Sequence, residues 1–149
     1  MPKVMKSMNI ISRCQALFRA EQITEGEPEP CYFAPLFVIV RSPGLSQEQI
    51  ARELCFNKST VARAISRLEE EGYAERRVSS LDKRVLLVYP TERAAEIMPR
   101  VREITRAWNQ KLTEGISDER MAVFASVLSE LENNARRAVD MALSEEGEK

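Results

Sequence analysis

Two helices with only Cys55 and Phe56 between them are the tightest constraint in this chain. The first begins after Ser46. Ser46 and Gln49 have the spacing of a capping box, and Leu45 and Ile50 that of a hydrophobic staple. Ile50, Ala51 and Leu54 form its apolar face. The second begins at Asn57, a strong N-cap, with Phe56 and Val61 repeating the staple spacing. Val61, Ile65 and Leu68 continue the apolar stripe. Gly72 stands where a helix ends in the left-handed conformation, and Tyr73 follows as its hydrophobic partner. Helices joined this closely must turn sharply, which is helix-turn-helix spacing.

Beyond Gly72 the apolar pattern changes from a helical period to strict alternation. Residues 73–78 and 85–90 read as short strands joined by Ser79-Ser80-Leu81-Asp82-Lys83-Arg84, a hairpin with a basic tip. Helix-turn-helix followed by such a hairpin is a winged helix. Upstream, Met8, Ile11, Cys14 (or Gln15) and Phe18 predict an amphipathic helix over 5–20, and the acidic stretch EQITEGEPEP, 21–30, a loop. CYFAPLFVIVR, 31–41, suits either a buried strand or a buried helix with Pro35 in its first turn, and periodicity does not choose. Downstream, Thr91 caps a helix over 92–114, with a kink expected at Pro99, and Gly115 ends it. Ser117 caps a last helix, with Ile116 and Met121 as its staple. Its stripe is Phe124, Val127 (or Leu128), Leu131, Ala135 and Ala138.

Composition narrows the class. The 149 residues suit one ordinary domain, and 44% hydrophobic content provides a core. No apolar run approaches the roughly 20 residues a membrane helix needs. The N-terminus lacks the apolar core and cleavage site of a signal peptide, so cytoplasm is the expected location. Cys14, Cys31 and Cys55 are widely spaced and there is no histidine, so no zinc-ligand pattern can be assembled. The thiols are expected to be buried or semi-buried, with a redox sensor at Cys14 or Cys55 as the sharper alternative. No cofactor is expected. An enzyme has little support without histidine, a Gly-rich phosphate loop or a nucleophile-base pair. Net charge is −1, yet residues 41–90 carry nine Lys/Arg against seven Asp/Glu, and that local surplus weakly favours a polyanionic partner. The acidic last ten residues are expected to fray.

The stretch LSQEQIARELCFNKSTVARAISRLEEEGYAERRVSSLDKRVLLVYPTER, 45–93, resembles the multiple antibiotic resistance regulator (MarR) family. The matching features are Ser-Gln-x-x-Ile-Ala at its start and Lys-Ser-Thr-Val-x-Arg opening the second helix. Leu-Glu-x-x-Gly-x-x-x-Arg follows at the exit, then Asp-Lys-Arg at 82–84 and Thr91-Glu92-Arg93. Pro90 and Ala94 depart from the family pattern at the wing-to-helix junction. The resemblance implies a mainly α chain with a small β-hairpin wing. It implies a DNA-binding region over 32–90, helical at 32–40, and dimerisation helices over 1–22 and 92–142. It implies an obligate homodimer and a transcriptional regulator, often a repressor released by a small ligand or oxidant. The effector cleft of such proteins lies here near Arg13, Phe18, Phe33, Phe37 and Trp108, although each of these reads more simply as an ordinary core residue.

The reader chemistry follows from the second helix. Burying Val61, Ile65 and Leu68 turns Lys58, Ser59, Thr60, Ala62, Arg63, Ser66 and Arg67 outward. Small polar residues at its N-terminal end let it enter a major groove about 12 Å wide. The helix N-terminus with Ser59 and Thr60 suits phosphate, and Arg63 a base edge. Alternatively, Arg63 and Arg67 pair with Glu70 or Glu71 and only solvate the face. Arg84 is expected to enter the minor groove from the wing tip, with Arg76, Arg77 and Lys83 on phosphates. The resemblance implies that Asp82 holds Arg84; otherwise Asp82 is an ordinary turn residue. The expected partner is a palindromic duplex met by two readers. A winged helix used only for protein contact is the competing reading.

Overall fold

The computed structural model describes residues 3–146. The elements run α1 (Val4–Gln22), α2 (Phe33–Arg41), β1 (Leu45–Ser46), α3 (Gln47–Leu54), α4 (Lys58–Glu70), β2 (Ala74–Val78), β3 (Leu86–Pro90), α5 (Glu92–Thr113) and α6 (Asp118–Glu146). The chain is mainly α with a small wing, as the patterning predicts. Among the described residues, 3–109 form one compact unit and 110–146 a second. Among the described residues no helix is long and apolar enough to cross a membrane.

The caps form where their residues predict. Ser46 Oγ accepts from the Gln49 N–H at 3.2 Å while Gln49 Oε1 accepts from the Ser46 N–H at 2.8 Å, a reciprocal capping box. Asn57 Oδ1 accepts from the Thr60 N–H at 2.7 Å. At the exit of α4 the Tyr73 N–H reaches the Leu68 carbonyl at 2.7 Å and the Gly72 N–H that of Glu69 at 2.9 Å. This is a Schellman closure, with Gly72 at φ +79°. The Thr91 hydroxyl accepts from the Ala94 N–H at 3.2 Å and donates to the Gly72 carbonyl at 2.6 Å, joining the start of α5 to the end of α4.

The turn between α3 and α4 holds a surprise. Cys55 lies in the left-handed region, at φ 53° and ψ 36°. Among the described residues no other non-glycine residue has a positive φ. The Phe56 N–H then closes onto the Ala51 carbonyl at 3.0 Å. Only glycine adopts this conformation without steric cost. A cysteine there carries no sequence signal of it.

The ambiguous segment is the helix α2. Phe33, Pro35, Leu36, Val38 and Ile39 are buried and the rest of its apolar residues half-buried. A helix buried on nearly all sides satisfies its own backbone, whereas a strand would need ladder partners. Pro35 falls in the first turn, where its missing N–H is not needed. The sheet has a strand the patterning did not reveal. β1 pairs antiparallel with β3, Leu45 opposite Val88 and Ser46 opposite Leu87, giving the order β1-β3-β2. Two residues are too few to show a period.

The core gathers Phe33, Leu36 and Ile39 of α2, Ile50 of α3, Val61, Ile65 and Leu68 of α4, Val88 of β3, and Met98, Val101 and Ile104 of α5. Each such side chain contributes about 1.5–3 kcal/mol by leaving water. The loop 21–30 is fastened to this unit. Tyr73 donates its hydroxyl to the Gly26 carbonyl at 2.8 Å, and Arg100 donates to Glu27 at 3.3 Å and to the Gln22 carbonyl at 2.7 Å. α1 buries no residue and exposes Met5, Met8, Ile10, Ile11 and Leu17. α6 exposes Val123, Phe124, Val127, Leu131 and Val139 and continues to Glu146, past the boundary expected at 142. The fraying expected at the chain end lies partly outside the described residues.

Replacing Cys55 by glycine relieves the left-handed penalty and adds freedom to the unfolded chain. The net gain expected is about 0.5–1 kcal/mol. Gly72→Ala should cost about 1 kcal/mol for the opposite reason. Denaturant unfolding of both variants checks the pair, and a loss of stability in Cys55→Gly would contradict the assignment of that turn.

Candidate nucleic-acid interface

The buried stripe of α4, Val61, Ala64, Ile65 and Leu68, decides which side of the helix is left to a partner. Lys58, Ser59, Arg63 and Arg67 are exposed, and Thr60, Ala62 and Ser66 half-buried. Among the described residues Arg63 has no ion pair, so its guanidinium is available on the outer face. Lys58 Nζ stands 3.5 Å from Glu48 of α3. Ser59 donates its hydroxyl proton to the Asn57 cap at 2.9 Å, leaving its oxygen as an acceptor rather than the phosphate donor expected. Arg67 is held by Glu70 at 3.1 Å and Glu71 at 2.9 Å, which is the paired alternative.

The wing tip is organised around two side chains. Ser79 is buried, and its hydroxyl oxygen accepts from the N–H groups of Leu81 at 3.2 Å and Asp82 at 3.4 Å. Asp82 then takes Arg84 through both carboxylate oxygens, from Nε at 3.1 Å and Nη2 at 3.2 Å, and accepts the Arg84 N–H at 3.0 Å. The Arg84 side chain is 90% exposed even so. Asp82 aims it without covering it. Lys83 is exposed beside it with no ion pair among the described residues. Arg77 lies over the Tyr89 ring at 4.3 Å and pairs with Glu75.

Arg76 is placed otherwise than expected. Its side chain is 19% exposed and turned inward, onto α3 and α4. Nε donates to Gln47 of α3 at 2.8 Å. Nη1 pairs with Glu69 of α4, and Nη2 donates to the Ala62 carbonyl at 3.2 Å and Ser66 Oγ at 3.0 Å. Strand alternation explains the inversion: Arg76 shares the inner face with buried Ala74, whereas Arg77 takes the outer one. The contacts of Gln47 and Glu69 with Arg76 carry no sequence signal, because neither lies at a spacing that points to Arg76.

The residues expected to line an effector cleft are not all open. Arg13 is exposed, Phe37 is half-buried, and Phe18 packs against Trp108 with ring centroids 5.5 Å apart. Phe33 is fully buried in the core with the Arg19 guanidinium 5.4 Å over its ring, which makes it a packing residue. The cysteines reverse the expectation of burial: Cys14, Cys31 and Cys55 are all exposed. Burial of the thiol and then the nearby Glu29 raise the Cys31 pKa, so it is a poor thiolate. Among the described residues no group of three or more Cys, Asp or Glu is placed to hold a metal ion.

Comparison with known proteins agrees with this fold. The family model of the MarR family matches residues 32–85. The uncharacterized HTH-type transcriptional regulator YybA of Bacillus subtilis (strain 168) is 23% identical over 90% of this chain and 85% of its own. The crystal structure of MarR superposes with a TM-score of 0.78 at 26% identity, covering 92% of this chain and 99% of that one. A MarR family transcriptional regulator from Listeria monocytogenes complexed with 26mer DNA gives 0.85 at 20% identity, covering 93% and 92%.

The Arg84 side chain, and after it the Arg84 N–H, holds the Asp82 carboxyl below the ordinary carboxylate range against a smaller opposing effect of burial. A depressed folded pKa means the pairing is complete above the unfolded value and is lost as pH falls through the folded one. Carbon-detected NMR titration is expected to find Asp82 below the value of an unfolded chain, rising back to it in Arg84→Ala. Equal midpoints in the two proteins would contradict the pairing.

Proposed function

We propose that this chain, whose residues 32–85 match the MarR family model, is a winged-helix transcriptional regulator rather than an enzyme, that it binds a palindromic duplex as a homodimer, and that it acts as a repressor released by a small ligand or oxidant. The observation that carries the reading is Arg84, locked by Asp82 yet almost wholly exposed, on a wing beside a helix whose outer face offers an unpaired Arg63. An exposed guanidinium immobilised by a carboxylate suits a narrow minor groove, where negative potential is enhanced. Arg63 suits a guanine edge in the major groove, a contact worth about 1–3 kcal/mol of discrimination. The N-terminus of α4, Lys58, Lys83 and Arg77 suit phosphates, which fix register without reading sequence. The Listeria relative complexed with 26mer DNA supports this use of the shared fold.

One winged helix with so little surplus charge would bind weakly. Two readers placed roughly 34 Å apart meet successive half-sites on one face of the duplex. The exposed Ile10, Ile11 and Leu17 of α1 and Phe124, Val127 and Leu131 of α6 supply apolar surface for a second copy. The half-buried Phe18 and Phe37 and the exposed Arg13 are the remaining candidates for a ligand cleft. Of the thiols, Cys14 and Cys55 suit an oxidant better than Cys31. The cytoplasm is where such a regulator would meet its DNA.

Arg84→Ala is expected to weaken binding to a palindromic promoter duplex about tenfold or more, roughly 1.4 kcal/mol, by electrophoretic shift. Unchanged affinity would remove the wing from the mechanism. Wild-type affinity should fall steeply with salt, whereas a wing used only for protein contact would respond little. Leu17→Glu with Phe124→Glu should shift the protein to a monomer in sedimentation and abolish the shift. A dimer that persists would contradict the assigned interface.

A further inference from the structure

We propose that Arg76 is a positioning residue for DNA binding: it fixes the wing to α4 at the angle both need and makes no DNA contact itself. The proposal rests on the DNA-binding reading above. Four of the five guanidinium N–H donors are engaged, by Gln47, Glu69, the Ala62 carbonyl and Ser66. Those partners span α3 and two turns of α4, so one planar group ties both helices to β2. Glu69 grips the same residue twice, since its other oxygen accepts the Arg76 N–H at 2.8 Å. No lysine could reproduce this, because a single ammonium lacks the flat fork that reaches four acceptors at once.

The network also changes what Ser66 offers. Its oxygen accepts from Arg76 at 3.0 Å, so one acceptor position of the hydroxyl is already occupied before a duplex arrives. Glu69 takes on a meaning that charge alone does not give. It is a carboxylate on the helix meant to approach phosphates, and by simple electrostatics it is a defect. As the anchor of Arg76 it is required. The two views predict opposite signs for one substitution.

The test uses the full chain. Wild-type protein selects its tightest duplex from a random pool, and affinity is then measured for that duplex and for an unrelated one across a salt series. All proteins are compared at a temperature where circular dichroism is the same as wild type. Glu69→Gln, which keeps the shape and removes the charge, is expected to bind the selected duplex about tenfold more weakly, with its affinity for the unrelated duplex undiminished. Equal or tighter binding to the selected duplex overturns the proposal. Arg76→Ala is expected to lose specific affinity with the salt slope unchanged, while Arg77→Ala loses about one unit of slope. A comparable drop in slope for Arg76→Ala makes Arg76 a phosphate contact and overturns the proposal. If the wild type selects no duplex, the DNA-binding reading fails and this proposal with it; if the wild type binds and Glu69→Gln binds tighter, only the proposal fails.

Discussion

The two-residue turn at Cys55 and Phe56 is the constraint on which the reader depends. With so short a connection, the end of α3 sets the start of α4, and the left-handed Cys55 supplies the change of direction. Once α4 is placed, Val61, Ile65 and Leu68 go inward against α2 and α3, and the Lys58–Arg63–Ser66 side has nowhere to go but out. The Schellman closure at Gly72 hands the chain to the wing, and Thr91 ties the wing's far end to the same glycine. Reader and wing are thus held at both ends by backbone geometry before any side chain meets a partner.

Charge in this unit is managed in pairs. Asp82 holds Arg84, Glu75 holds Arg77, Glu69 holds Arg76, and Glu70 with Glu71 holds Arg67. Exposed pairs of this kind contribute little to stability, typically under about 1 kcal/mol. Their effect is on direction: a paired guanidinium loses rotamer freedom before a ligand arrives, so less is lost on binding. The partly buried Arg76 pair differs in kind, since it is woven into four polar partners drawn from two helices.

Much of the fold was legible. Caps at Ser46, Asn57 and Thr91, the stop at Gly72 and the alternation after it all translate directly into structure, because each depends on a few adjacent residues. The Asp82–Arg84 pairing, implied by family resemblance, is present in the geometry. Other features were not legible, and for definite reasons. β1 is too short to have a period. Cys55 adopts a glycine conformation without being glycine. The thiols were expected inside because cysteine commonly is, yet nothing local compels burial at those positions. Arg76 and Arg77 are adjacent and chemically identical, and their difference lies only in which face of β2 each takes.

By itself the sequence determined the helix starts and stops, the stripe that turns α4 over, and the pairing of the wing strands, all of which arise from hydrogen bonds and apolar spacing within a few residues. The tertiary structure alone decided that 33–41 is a helix rather than a strand, which arginine is sealed and which is offered, and that Glu69 is a partner rather than a liability. Those outcomes depend on groups far apart in the chain, Gln47, Ala62, Glu69 and Arg76 among them. Their meeting is set by how whole elements pack, and no local spacing encodes it.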